Sequence, residues 1–255
     1  MKIAYWGWLV LAMAALCIPG SAQAATINWA SAQNISAPSD VSGSGVLVDA
    51  IRAYSDNAGG YPTLSVNGVA FQGTNFTTVG SIYSLSDGTG DIVLRADSAD
   101  IDVSPPNTAE LFPTTSNTGD ANYDALLSRL SFTVHSGTAI LNNLIIGHTY
   151  QVEFWSNQQN AATNGAVLSG TPSVSLAASV AANTDGQFAL GTFTADAGSL
   201  SFTYTPNTVG AIVNAVQLRD ISAPEPSSIV LFALGGAGLC YVARRRVRKP
   251  RTSNQ

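Results

Sequence analysis

Residues 141–154 read Leu141-Asn142-Asn143-Leu144-Ile145-Ile146-Gly147-His148-Thr149-Tyr150-Gln151-Val152-Glu153-Phe154. A glycine turn separates two apolar runs. Beyond it Tyr150, Val152 and Phe154 recur at every second position, so they share one face of a strand. Tyr150, three residues after Gly147, has the placing of a tyrosine corner, in which a buried phenol reaches back to a backbone group across the sheet junction. Both residues are read as structural, and the fold they point to is a sandwich of antiparallel strands.

Outward from this segment, short alternating runs recur with Gly, Asn, Asp or Pro between them, and no long helical periodicity interrupts residues 25–223. Strands are expected at 26–30, 45–54, 63–66, 69–72, 91–96, 130–135, 138–144, 149–155, 187–195, 200–205 and 214–220. Asn67-Gly68 between two of them is a hairpin signal, because both turn positions need positive φ. One short helix is expected at 122–129, with Ala125, Leu126 and Leu130 facing the core. The fold class is all-β, a two-sheet antiparallel β-sandwich. Composition agrees: hydrophobic residues make up 45% and charged ones 11%, with 23 Gly and 11 Pro, enough for a core and too turn-rich for a coiled coil.

Charge divides the chain into three. Six of the 11 basic residues, Arg244, Arg245, Arg246, Arg248, Lys249 and Arg251, crowd near the C-terminus, and Lys2 stands at the other end. All 16 acids lie between, so residues 25–226 carry four basic against 16 acidic side chains, a net charge of −12. Such a field repels phosphate backbones, and no nucleic-acid partner is expected. Cys17 and Cys240 both lie in the terminal apolar segments, which leaves the middle without disulfides, thiolate metal sites or a cysteine nucleophile.

The ends read as addresses. Residues 1–24 have an early lysine, an apolar run, the Pro19-Gly20 break and Ala22-Gln23-Ala24, the layout of a secretory signal peptide cut after Ala24 by signal peptidase once the Sec translocon has engaged it. At the other end residues 227–243 are uncharged, long enough at helical rise to reach roughly 25 Å, and stop at Arg244-Arg245-Arg246. A transmembrane helix with its arginines in the cytoplasm leaves the body outside. The expected organisation is a signal peptide at 1–24, a β-sandwich ectodomain at 25–222, a sorting segment at 223–250 and a cytoplasmic end at 251–255.

Pro224-Glu225-Pro226, the apolar run and the terminal arginines together resemble the PEP-CTERM sorting domain of exported bacterial proteins. That resemblance implies recognition and cutting near the Pro-Glu-Pro motif by an exosortase, a membrane cysteine protease. The prolines suit the role, since they forbid helix and hold an extended segment at the membrane surface, while Ser227 can cap the helix behind them. Segments similar to 141–154, to Gly191-Thr192-Phe193-Thr194-Ala195 and to Asn214-Ala215-Val216-Gln217-Leu218-Arg219 recur in such proteins. The body on this ground resembles a jelly-roll or galactose-binding-like module. The protein is then expected in the inner membrane with its body outside, and in the cell envelope or medium after tail removal.

Catalytic chemistry is thinly marked. His135 and His148 are the two histidines, Ser136 and His135 are strand neighbours that point to opposite faces, and neither a nucleophile elbow nor a His-Glu-x-x-His helix occurs. The expectation is a non-catalytic structural or adhesive protein without a cofactor. A carboxylate pair of a cryptic glycoside hydrolase is the most distant alternative. Calcium is the metal that Asp97, Asp100 and Asp102, or the loop from Asp87 to Asp91, would suit, because they set hard oxygens close together. The nearer alternative is a carbohydrate-binding module: Trp155, alternating outward from Phe154, would stack on an extracellular polysaccharide while Asn157 and Gln158 bond its hydroxyls.

Overall fold

The computed structural model describes residues 25–53, 63–79, 82–97, 101–103, 116–159 and 163–222. Two large antiparallel sheets face each other across one apolar cluster. The six-stranded sheet runs β1 (Asn28–Trp29), β15 (Gln187–Thr194), β12 (Thr149–Ser156), β18 (Ala215–Asp220) and β3 (Val46–Arg52), with β2 (Gln33–Asn34) also pairing to β15. The seven-stranded sheet runs β14 (Val174–Ala177), β13 (Gly165–Leu168), β16 (Leu200–Pro206), β11 (Gly137–Leu141), β8 (Ile92–Asp97), β7 (Ile82–Ser86) and β6 (Asn75–Val79). Beside them lie a three-stranded sheet of β17 (Ala211–Val213), β10 (Ser131–Thr133) and β9 (Ile101–Val103), the hairpin β4 (Leu64–Val66) and β5 (Val69–Phe71), and one helix, α1 (Ala121–Leu127).

The alternation read from the sequence sets the faces. Tyr150, Val152 and Phe154 of β12 enter the shared cluster with Val216 and Leu218 of β18, and from the other sheet Leu94, Ala139, Leu168, Phe202 and Tyr204 meet them. Phe154 contacts Phe202 edge-on at 6.2 Å and Tyr204 at 5.7 Å. Each such ring, fully buried, contributes roughly 1.5–3 kcal/mol of transfer free energy. Tyr150 is buried, stacks on Phe193 at 5.5 Å, and its hydroxyl accepts a 2.8 Å hydrogen bond from the Ile145 amide. The phenol thus ties the 145–147 turn to the strand that follows, and Gly147 supplies the positive φ of 87° that the turn requires.

The other side of the six-stranded sheet is covered too. The β4–β5 hairpin turns at Asn67-Gly68, both with positive φ, and Gln72 exchanges backbone hydrogen bonds with Ala50 and Arg52 of the edge strand β3. Helix α1 starts where the Asp120 carboxylate accepts from the amides of Asn122 and Tyr123, which satisfies two orphan donors. It buries Tyr123, Leu126 and Leu127, whereas Ala125 is only half-buried, so the core face begins two residues earlier than the sequence suggests. A second apolar cluster results: Phe71, Tyr123, Leu126, Trp155, Phe188 and Ala215. Strands β6, β7, β13 and β14 fall where the sequence gives no strong alternating signal. Among the described residues no helix is long and apolar enough to cross a membrane, and the expected signal peptide and transmembrane helix lie outside them.

Candidate functional site

The structure brings Trp155, Asn157 and Gln158 together, but not on a surface. Trp155 is wholly buried in the second cluster, stacked on Phe188 at 6.4 Å and edge-on to Phe71 at 5.6 Å, and its indole N–H donates to the Tyr123 hydroxyl at 3.0 Å. The expected outward direction holds, yet the helix and hairpin occupy the space beyond it. Asn157 and Gln158 are buried as well. The Asn157 side chain donates to the Leu127 carbonyl and to Ser116 and accepts from the Gly186 amide at 2.7 Å, while Gln158 Oε1 accepts from Asn164 at 2.8 Å. Trp155, Asn157 and Gln158 are thus buried side chains engaged within the fold, and none of them is presented at the surface to a sugar. Trp29, Phe71, Tyr123, Tyr150, Phe154, Phe188, Phe193, Phe202 and Tyr204 are likewise buried, and Tyr83 and Phe132 are half-buried. Asn214, which the sequence reading did not single out, organises this hub: its Nδ2 faces the carbonyls of Leu127, Arg129 and Asn157, and its Oδ1 accepts from the Asn157 amide.

One strand row further along, the same outer face turns polar and stays buried. Glu153 lies opposite Gln217 in the β12–β18 register, with Arg219 diagonal to it. The segment from Ser42 to Gly45 lies over all three. The Ser42 amide donates to Glu153 Oε2 at 3.0 Å, Gln217 donates to the Ser42 carbonyl, and the Arg219 guanidinium donates to the carbonyls of Gly43, Ser44 and Gly45. Glu153 Oε1 and Gln217 Oε1 are buried acceptors with no hydrogen-bond partner among the described residues. Burial, with Asp40 nearby, pushes the Glu153 carboxyl up to about 8 against the opposing pull of the Ser42 amide and Arg219. A carboxyl held this high keeps its proton to a higher pH than an exposed one does.

The acidic loops behave differently from one another. Asp87 accepts from the amide and hydroxyl of Thr89 at 2.9 and 2.7 Å within its own loop, and Asp91 accepts from Asn143, which ties the loop to the turn after β11. Asp49, buried behind it, accepts from the Ile92 amide, and burial together with Asp87 and Asp91 pushes its carboxyl up to about 7. Of the expected calcium ligands, Asp100 lies outside the described residues. Asp97 and Asp102 fall on strands of two different sheets, β8 and β9, instead of one wrapping loop. Among the described residues no group of three or more His, Cys, Asp or Glu is placed to hold a metal ion.

At the base of β12 and β18 the chain prepares to leave the body. His148 Nδ1 lies 2.6 Å from Asp220 Oδ2, the Ile221 amide donates to the Thr149 carbonyl, and the Thr149 amide donates to Ser222 Oγ. Burial pushes Asp220 up, but the hydrogen bonds from His148 and Ser222 outweigh it and hold the carboxyl below its ordinary range. Gly45 admits no side chain, since a Cβ at its φ of 71° would strike the Asp220 carbonyl. The body is thus an antiparallel β-sandwich whose last described residues, 220–222, are hydrogen-bonded to the start of β12. Residues 222–247 match the PEP-CTERM protein-sorting motif. The chain carries that motif, which implies export and sorting to the envelope by exosortase-type machinery. No curated protein and no solved structure matches the chain. Ala22, Ala24, Pro224, Glu225, Pro226, Arg244, Arg245 and Arg246, the expected processing residues, lie outside the described residues.

Proposed function

We propose that the protein is a non-catalytic structural or adhesive component of the cell envelope or exopolysaccharide layer. It passes the Sec translocon, loses residues 1–24 to signal peptidase, and is held in the inner membrane by the apolar run 227–243. Exosortase-type cleavage near Pro224-Glu225-Pro226 then releases the body, which we read as a jelly-roll-like module. The observation that carries this reading is the sorting motif at 222–247, starting two residues after the last strand ends at Asp220. An acidic, thiol-free body suits a compartment where free cysteines would be oxidised. Mass spectrometry of protein recovered from outside the inner membrane tests it. The expected ends are Ala25 and a residue near Pro226. An intact 244–255 segment in that material defeats the sorting step.

A further inference from the structure

Both ends of the body emerge at the same end of the six-stranded sheet. Ala25, the expected mature N-terminus, donates its amide to Asp196 Oδ2 at 2.7 Å, and β1 pairs Asn28 with Thr192 and Trp29 with Gly191. Thr194 in turn faces Thr149 in the next strand pair, and the Thr149 amide holds Ser222. The three most exposed large hydrophobic side chains among the described residues lie at this end: Val46 at 71%, Ile146 at 66% and Ile145 at 55%. Val46 pairs with Asp220, and the Ile145 carbonyl accepts from the His148 amide inside the tyrosine-corner turn. Two exposed isoleucines on a hydrogen-bonded turn thus lie beside both ends of the described body.

The length of the tether names what meets them. Ser222 is hydrogen-bonded to the body and the uncharged run begins at Ser227, so only four residues, 223–226, separate the two in sequence. Fully extended, they and their flanking bonds span roughly 15–18 Å. If the run from 227 onward lies in the bilayer, as the functional reading on which this inference rests requires, this end of the sandwich cannot leave the membrane surface before the tail is cut. We infer that the end bearing Val46, Ile145 and Ile146 is a bilayer-contact surface, with the two isoleucines entering the boundary between headgroups and acyl chains. The body then stands upright on the membrane. The charged groups here are Asp87, Asp91, Asp196 and Asp220, with His148 and the Arg219 guanidinium as basic neighbours, so acids outnumber bases and the contact is apolar and opposed by anionic lipid. Added salt strengthens it on anionic vesicles, the reverse of a polybasic anchor.

The test uses the full chain with Cys17 and Cys240 replaced by Ser and one cysteine introduced by Ile146→Cys, Val46→Cys or, beyond the opposite end of β12, Val180→Cys. Each is labelled with an environment-sensitive fluorophore and reconstituted into phosphatidylcholine vesicles that carry a headgroup nitroxide lipid. A further variant that keeps Cys240 alone reports on the tail. Labels at positions 146 and 46 are expected to lose most of their fluorescence to the nitroxide, and the label at 180 none. A tail label shielded in lipid with 146 and 46 behaving like 180 overturns the contact surface and leaves the membrane reading standing. A tail label in water removes both.

Discussion

The two faces of the six-stranded sheet are built by the same strands and buried almost equally, yet by different chemistry. Inward, Tyr150, Val152, Phe154, Val216 and Leu218 form a continuous apolar layer against the facing sheet. Outward, Glu153, Trp155, Ala215, Gln217 and Arg219 are buried as well, half of the row among rings and half under a strap of backbone amides and carbonyls. The inner face is held by area removed from water, which needs no particular partner atoms. The outer face stays folded only while each polar group finds its complement, so its stability must depend on protonation where the inner face's does not.

The largest expected difference comes from emptying the inner face. Phe154→Ala removes a ring that touches Phe202 and Tyr204, and should cost about 3–5 kcal/mol at any pH, read from urea midpoints. Next comes the pH dependence of the outer face. The ordinary value for Glu153 is 4.5 and the folded value is about 8, so the folded state holds the proton longer than the unfolded chain. Stability from this group is complete below about 4.5, falls as pH rises toward 8, and is flat above; the loss is on the order of a few kcal/mol. Glu153→Gln keeps the shape without the titration and should be more stable than the parent at alkaline pH and similar to it in acid. Asp49, raised to about 7, leaves a smaller residual slope that ends lower. A variant whose midpoint falls with pH as steeply as the parent's would remove Glu153 as the cause.

The same contrast separates what could be read from the sequence. Alternation at Tyr150, Val152 and Phe154 placed the inner face correctly, because a period of two is local and the opposing sheet only has to be apolar. It also placed Trp155 on the opposite face, but exposure there depends on α1 and the β4–β5 hairpin, which are distant in the chain and carry no pattern complementary to an indole. Alternation likewise puts Glu153, Gln217 and Arg219 on the outer face, and nothing near them in the sequence marks that face as covered. Their cover is Ser42 to Gly45, and it works through backbone amides and carbonyls that any residue would supply. Strands β13 and β14 escaped because Gly165–Leu168 is apolar at every position, with no alternation, and no Asn-Gly turn joins it to Val174–Ala177 as one joins β4 to β5. The sorting tail was legible throughout, since its recognition depends on sequence order at the chain end and not on a fold.

Smaller effects sharpen the comparison at single atoms. Asn214→Ala leaves three carbonyls and the Asn157 amide short of a partner in the outer hub, and an expected loss of roughly 1–3 kcal/mol would show that side chain, and not merely apolar cover, holds this face. The smallest is Tyr150→Phe. The ring stays in the inner layer against Phe193, so burial is unchanged, and only the hydrogen bond from the Ile145 amide disappears. Because Ile145 is exposed, water can reach that amide in part, and the cost should be about 1 kcal/mol. Amide exchange provides the sharper reading: the Ile145 proton should exchange faster in the variant while amides in the middle of β12 keep their protection. Uniform loss along β12 would mean that the phenol supports the whole sheet, and the inner face would then depend on a specific polar contact as the outer one does.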